Sequence, residues 1–161
     1  KRRHKKLKTE LEDRLQELTA EMERKAATHE DTSEYKKEII ALRFEKLKQS
    51  SLFKAIKEQC RKVELNIEQK LSEEDWKDLI RLINSLFPNT SAFMKENTLG
   101  LTKTEIKVCY LSFFNLRLSE EAILLGVSSD SANKFRSRTR QKLCPDQKGG
   151  DINEFILQKG W

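Results

Sequence analysis

Residues Leu118 to Phe135 read LSEEAILLGVSSDSANKF. Two short helices that nearly touch need small side chains at the crossing, and the turn between them needs a residue free to take positive φ. Ala122 and Gly126 stand four apart in those two roles. Leu125, Val127, Ala132 and Phe135 sit where apolar side chains wedge the helices together. Joint agreement of Ala, Gly and four apolar positions predicts a helix-turn-helix, with a first helix over about 119–126 and a second over about 129–143.

Projected at about 100° per residue, the second helix has two unlike sides. Ala132, Phe135, Thr139 and Leu143 share the side expected to face a core. Opposite them lie Asp130, Asn133, Lys134, Ser137 and Gln141, with Ser129 at the helix start. From Ser131 to Pro145 there are five basic residues and no acid. Lys134, Arg138 and Lys142 line one flank, Arg136 and Arg140 the other. Solvated surface helices usually interleave acids with bases, and this one does not. The pattern suits a helix lying in a major groove, with polar side chains at base edges and cations reaching the phosphates of both strands. Double-stranded DNA is the expected partner. The candidate contact residues are Ser129, Asn133, Lys134, Arg136, Ser137, Arg138, Arg140 and Lys142. The alternative left open is a helical interaction or signalling scaffold whose helix-turn-helix no longer binds DNA.

Upstream, Leu11, Leu15, Leu18 and Met22 form a narrow apolar seam on a helix over 5–27. Residues 28–34 hold no apolar residue and interrupt it. A second register then runs through Tyr35, Ile39, Leu42, Lys46, Gln49, Phe53, Ile56, Cys60, Val63 and Ile67, polar in its middle around Gln49-Ser50-Ser51. Ile40, Phe44 and Leu47 add a second stripe, which favours packing in a bundle over a two-stranded coil. Ser72 with Asp75, Thr102 with Glu105, and Asp151 with Glu154 are helix-start signals. They predict helices through Trp76–Leu86, Ile106–Phe113 and Ile152–Ile156. Residues 88–100 are expected as a connector anchored by Phe93 and Met94, and Gly149-Gly150 as a chain break.

These residues carry a resemblance. Leu101-Thr102 with Glu105, Ala122, Leu125, Val127-Ser128, Ser131-Ala132 and Lys142-Leu143 resemble the LuxR-type (GerE-like) helix-turn-helix of bacterial transcription regulators, over about residues 99–144. The Asp75-Trp76 helix, the Phe87-Pro88 step and the Asp151–Phe155 segment are similar to a Bacteroidetes group within that family. Members of the group combine tetratricopeptide repeats, one membrane span, a coiled coil and a C-terminal DNA-binding domain. The resemblance implies a four-helix DNA-binding domain whose reader helix is 129–143. The pattern is departed from in three places. Glu121 stands where the family carries a buried Ile, Thr139 replaces an apolar residue, and Ala132 is smaller than the usual Val. A buried unpaired carboxylate costs several kcal/mol, so Glu121 is expected to reach solvent or a cation.

The expected fold is all-α: a long helical coiled-coil or bundle segment (1–87) for dimerisation and linkage, then a LuxR-like helix-turn-helix domain with a C-terminal helix (88–161). With 5 Gly and 2 Pro in 161 residues there are too few turn-formers for a many-stranded sheet. The net charge is +6, and Lys1, Arg2, Arg3, Lys5, Lys6 and Lys8 account for it, since the remaining chain is balanced at 26 basic and 26 acidic residues. The chain starts at Lys1 rather than Met, so further sequence upstream is expected. The basic start is then read as lying against an anionic membrane surface at the cytoplasmic, inner face of the cell membrane, as the layout of the resembled group implies, with nonspecific nucleic-acid contact and plain solubilisation as the alternatives. A homodimer through the N-terminal helices is expected from the long seam. Cys60, Cys109 and Cys144 fit neither a disulfide framework nor a zinc pattern, and the first two are expected as core thiols. His4 and His29 are isolated. No nucleophile elbow or phosphate-binding glycine loop occurs. No enzyme, metal, cofactor or small-molecule substrate is expected.

Overall fold

A computed structural model describes residues 1–61, 70–97, 100–145 and 151–159. Among them are nine α-helices and no strand. The chain divides into two compact units, Lys1–Lys54 and Ala55–Trp161.

The first unit is a helical hairpin. Helix α1 spans Arg2–Ala27 and α2 spans Ser33–Gln49. Between them His29 takes a left-handed conformation, φ 59°. Its amide donates to the Ala26 carbonyl at 3.1 Å, and that of Glu30 donates to Lys25 at 3.0 Å. Those two bonds close the end of α1 and reverse the chain. Cross-helix partners then run antiparallel. Arg14 pairs with Glu38 at 3.0 Å, Lys46 with Glu12 at 3.7 Å, and the Lys25 ammonium lies 5.6 Å from the Tyr35 ring centre. Leu18, Ile39 and Leu47 are buried. The long second register is not one helix. Ser50 takes ψ 144°, and α3 starts afresh at Ser51, running to Arg61. The hydroxyl of Ser50 donates to the Leu47 carbonyl at 2.6 Å and accepts from the Phe53 amide at 3.2 Å. One serine thus ends one helix and starts the next, because its short side chain competes for backbone groups. Val63 and Ile67 of that register lie outside the described residues.

The second unit holds the last helices: α4 (Glu73–Leu86), α5 (Pro88–Asn97), α6 (Lys103–Leu111), α7 (Leu118–Leu125), α8 (Ser129–Leu143) and α9 (Ile152–Lys159). Capping boxes start α4 at Ser72 and α6 at Thr102, each an N-cap hydroxyl and an N3 carboxylate exchanging hydrogen bonds with backbone amides. The stretch expected as a connector is α5. Pro88 occupies its first turn, where a missing N–H costs nothing, and Phe93 and Met94 are buried from it as expected. A tight 3₁₀ turn, Ser112–Phe114, ends at Asn115 in the left-handed region. Gly149-Gly150 lies outside the described residues.

The domain boundary falls at 54/55 rather than 87/88, because α4 packs against α6. The Tyr110 hydroxyl donates to Asn84 Oδ1 at 3.0 Å, Phe87 and Phe113 rings lie 4.9 Å apart, and the Lys107 ammonium sits 4.9 Å from the Trp76 ring centre. Leu79, Ile83, Leu111 and Phe114 form the centre of this core. Each is worth roughly 1.5–3 kcal/mol relative to exposure. Ile152 and Ile156 of α9 are buried, and Phe155 meets Phe93 edge-on at 6.2 Å. Cys60, Cys109 and Cys144 are free and buried. Among the described residues no helix is long and apolar enough to cross a membrane.

Candidate nucleic-acid interface

The turn between α7 and α8 follows from one glycine. Gly126 has φ 70°, ψ 34°. Its amide donates to the Ile123 carbonyl at 3.1 Å and that of Val127 to Ala122 at 3.0 Å. This is the paired closure that a left-handed residue permits at a helix end. Ser128 then caps α8, its hydroxyl accepting from the Ser131 amide at 3.1 Å. Ala122 and Ala132 are buried at 4% and 0% exposure, so the two helices approach without bulk between them. Leu125, Val127 and Phe135 are half-buried. Leu124 is fully buried, a core position missing from the sequence reading. The Leu71 amide donates to the Leu124 carbonyl at 3.1 Å, which docks the segment before α4 onto the end of α7.

The expected inner side of α8 is observed, since Ala132, Thr139 and Leu143 are buried and Phe135 half-buried. Thr139 is accommodated because its hydroxyl donates back to the Phe135 carbonyl at 2.7 Å. Ser129, Asp130, Asn133, Lys134, Ser137, Arg138, Gln141 and Lys142 are exposed. Asn133, Ser137 and Gln141 recur every four residues and form one stripe, with Lys134 and Arg138 beside it.

The five cations do not stand equally free, which corrects the two-flank picture. Glu121 is 4% exposed, and its Oε2 accepts from Arg136 Nε at 2.7 Å. Arg136 Nη2 makes an ion pair with the same carboxylate and donates to the Leu116 carbonyl at 3.2 Å. Glu121 has thus found its cation, at the expense of a cation expected to meet phosphate. Burial pushes the Glu121 carboxyl above its ordinary range, and the Arg136 and Arg140 charges only partly oppose this. Arg140 is half-buried, and its Nε has no hydrogen-bond partner. At the other end of α8, the Lys142 ammonium donates to Glu105 Oε1 at 2.5 Å. Glu105 is 1% exposed. Burial raises its carboxyl, but Lys142 and the Thr102 amide and hydroxyl region outweigh that, and it titrates below its ordinary value. Neither the Arg136–Glu121 nor the Lys142–Glu105 pairing was read from sequence. The readable signal was an acid at a core position facing a run of cations.

A cavity of about 70 Å³ lies behind α8, lined by Leu111, Asn115, Glu121, Arg136, Arg140 and Asp151 among others. Among the described residues no group of three or more His, Cys, Asp or Glu could hold a metal ion. The chain has no match among protein-family models, curated proteins or solved structures.

Proposed function

We propose that this chain is a DNA-binding transcriptional regulator of LuxR-like type that reads the major groove with α8. The reading rests on one observation above all. The exposed face of α8 carries Asn133, Ser137 and Gln141 in a row with Lys134 and Arg138 alongside, and no acid follows Asp130 on that helix. Amides and hydroxyls discriminate base edges, while cations neutralise phosphates. The turn at Gly126 makes α8 the second helix of a helix-turn-helix, the one that enters the groove in such motifs.

In this reading the first unit sets oligomeric state. A lone two-helix hairpin leaves its outer stripes half-buried, and two hairpins together make a four-helix bundle. The basic run Lys1–Lys8 suits an anionic surface, and we place the protein at the cytoplasmic face of a bacterial membrane on that ground. The internal pairing of Arg136 and Lys142 favours a second reading, a helical scaffold whose helix-turn-helix contacts protein. Titration of the whole chain with arbitrary duplex DNA at several salt concentrations separates the two. A DNA reader loses affinity linearly in log–log form as salt rises, by counterion release. A variant with the six cations of residues 1–8 replaced by Gln retains a salt-dependent component through α8. Absence of salt-dependent binding in that variant, under conditions where the parent binds, defeats the proposal.

A further inference from the structure

The Glu121–Arg136 pair replaces what an apolar contact would do between two packed helices, and it does so at the crossing of the helix-turn-helix. Arg136 makes three links at once: two to the Glu121 carboxylate on α7 and one to the Leu116 carbonyl that precedes α7. The guanidinium is planar and presents its donors in a fixed fork, so a side chain held at three points fixes the rotation of its helix. Arg136 lies on the flank opposite Lys134 and Arg138. Holding that flank inward turns the stripe Asn133–Ser137–Gln141 outward, with Lys134 and Arg138 as its flanking cations. Arg140, on the same inward flank, is half-buried beside the same carboxylate.

We infer that Arg136 is a positioning residue: clasped by Glu121 and Leu116, it sets the rotation of α8, so that α8 meets phosphates from the Lys134–Arg138 flank and presents Asn133 and Ser137 to the bases. The inference rests on the DNA-binding reading and deepens it. It separates two properties that a plain phosphate contact would join, namely charge neutralised on binding and discrimination between sequences.

The experiment uses the full chain and a pool of random-sequence duplexes, from which the parent's preferred duplex is enriched. Parent, Arg138→Ala, Arg136→Ala and the double variant Glu121→Leu with Arg136→Leu are compared for salt slope and for the ratio of affinity for enriched over random duplex. Thermal unfolding confirms that each is folded at the working temperature. Arg138→Ala is expected to lower the salt slope by about one. Arg136→Ala is expected to lose about tenfold in the enriched-to-random ratio. The double variant restores an uncharged, filled contact. It is expected to keep the slope and to recover the ratio to within about threefold of the parent. If Arg136→Ala does not fold, the double variant still decides on slope. A slope lowered by one in the double variant, where the refilled contact holds α8 in place, means that Arg136 reaches phosphate, and the inference fails while DNA binding stands. An unchanged ratio in Arg136→Ala overturns the positioning role. A parent that binds no duplex at any salt overturns the DNA-binding reading, and the inference with it.

Discussion

Glu105 and Glu121 are two buried carboxylates with opposite responses to pH. Glu105 is held below its ordinary value of 4.5 by Lys142 and Thr102. The folded state therefore binds its proton more weakly than the unfolded chain does. The stabilisation is complete above about 4.5 and is lost as pH falls through the depressed folded value. Glu105→Gln should cost about 1–2 kcal/mol at neutral pH, tempered by the partial exposure of Lys142. The variant should also flatten the acid limb of stability against pH in urea titrations, and an unaltered limb would remove the pair from the account. Glu121 carries the other sign. Burial raises it, so its contribution is present below the ordinary value and lost as pH rises through the folded one. Burial also pushes the Cys60 thiol up to about 11 and the Cys109 thiol to about 12. Both should resist a thiol-disulfide reagent at pH 7 in the folded chain and react once it is unfolded. That these cysteines are core residues was legible from their place on apolar helical faces. The ion pairs were not, because a pair between α7 and α8 or between α6 and α8 depends on helix rotation, which spacing alone does not give.

At the level of elements, α8 was legible to the residue and α7 to within one. Gly126 ends the first helix, Ser128 caps the second, and Cys144-Pro145 stops it, each by a local mechanism written in the residue type. Two elements were misread for the same kind of reason. The polar triplet Gln49-Ser50-Ser51 was visible, but a serine can stay within a helix or cap it, and Ser50 caps. The helix before Pro88 does end at Leu86, but 88–100 was read as a connector, and a proline at a first turn is a start. Gly126→Val tests the turn. The φ of 70° is strained for a β-branched residue, and a Cβ there would meet the Lys70 Cβ and Cδ at 3.1 Å. Denaturation of the variant should reveal a loss of roughly 1–3 kcal/mol. A mid-helix glycine would give the reverse sign, since Val is the better helix former. Stability equal to the parent's would mean that the chain does not turn at that residue.

For the molecule as a whole, the two units differ in what completes them. Residues 55–161 enclose a core built on Trp76, Leu79, Ile83, Leu111 and Phe114. The hairpin of α1 and α2 buries Leu18, Ile39 and Leu47 but leaves Ile40, Leu42 and Phe44 half-covered. The whole chain should therefore sediment as a dimer at tens of micromolar, and residues 55–161 as a folded monomer with cooperative unfolding. A monomeric whole chain would make the hairpin self-sufficient and remove dimerisation from the proposal. The sequence reading placed the division at 87/88, grouping the separate helix begun at Ser72 with the seam-bearing register that ends at Ile67. Its error was α4, whose inward residues Trp76, Leu79 and Ile83 are apolar in any helical context and do not say which partner they meet.

The most direct measurement is a backbone amide chemical-shift map of the full chain as a short duplex is added at moderate salt. Groove reading by α8 predicts the largest changes at Ser129, Asn133, Lys134, Ser137, Arg138 and Gln141. Lesser changes are expected along α7, with α9 and the hairpin of α1 and α2 left largely unmoved. Changes confined to the basic run Lys1–Lys8, with α8 silent at saturation, would show that any attraction to DNA is the charge of the N-terminal cluster alone. That result would contradict the assignment of α8 as a reader.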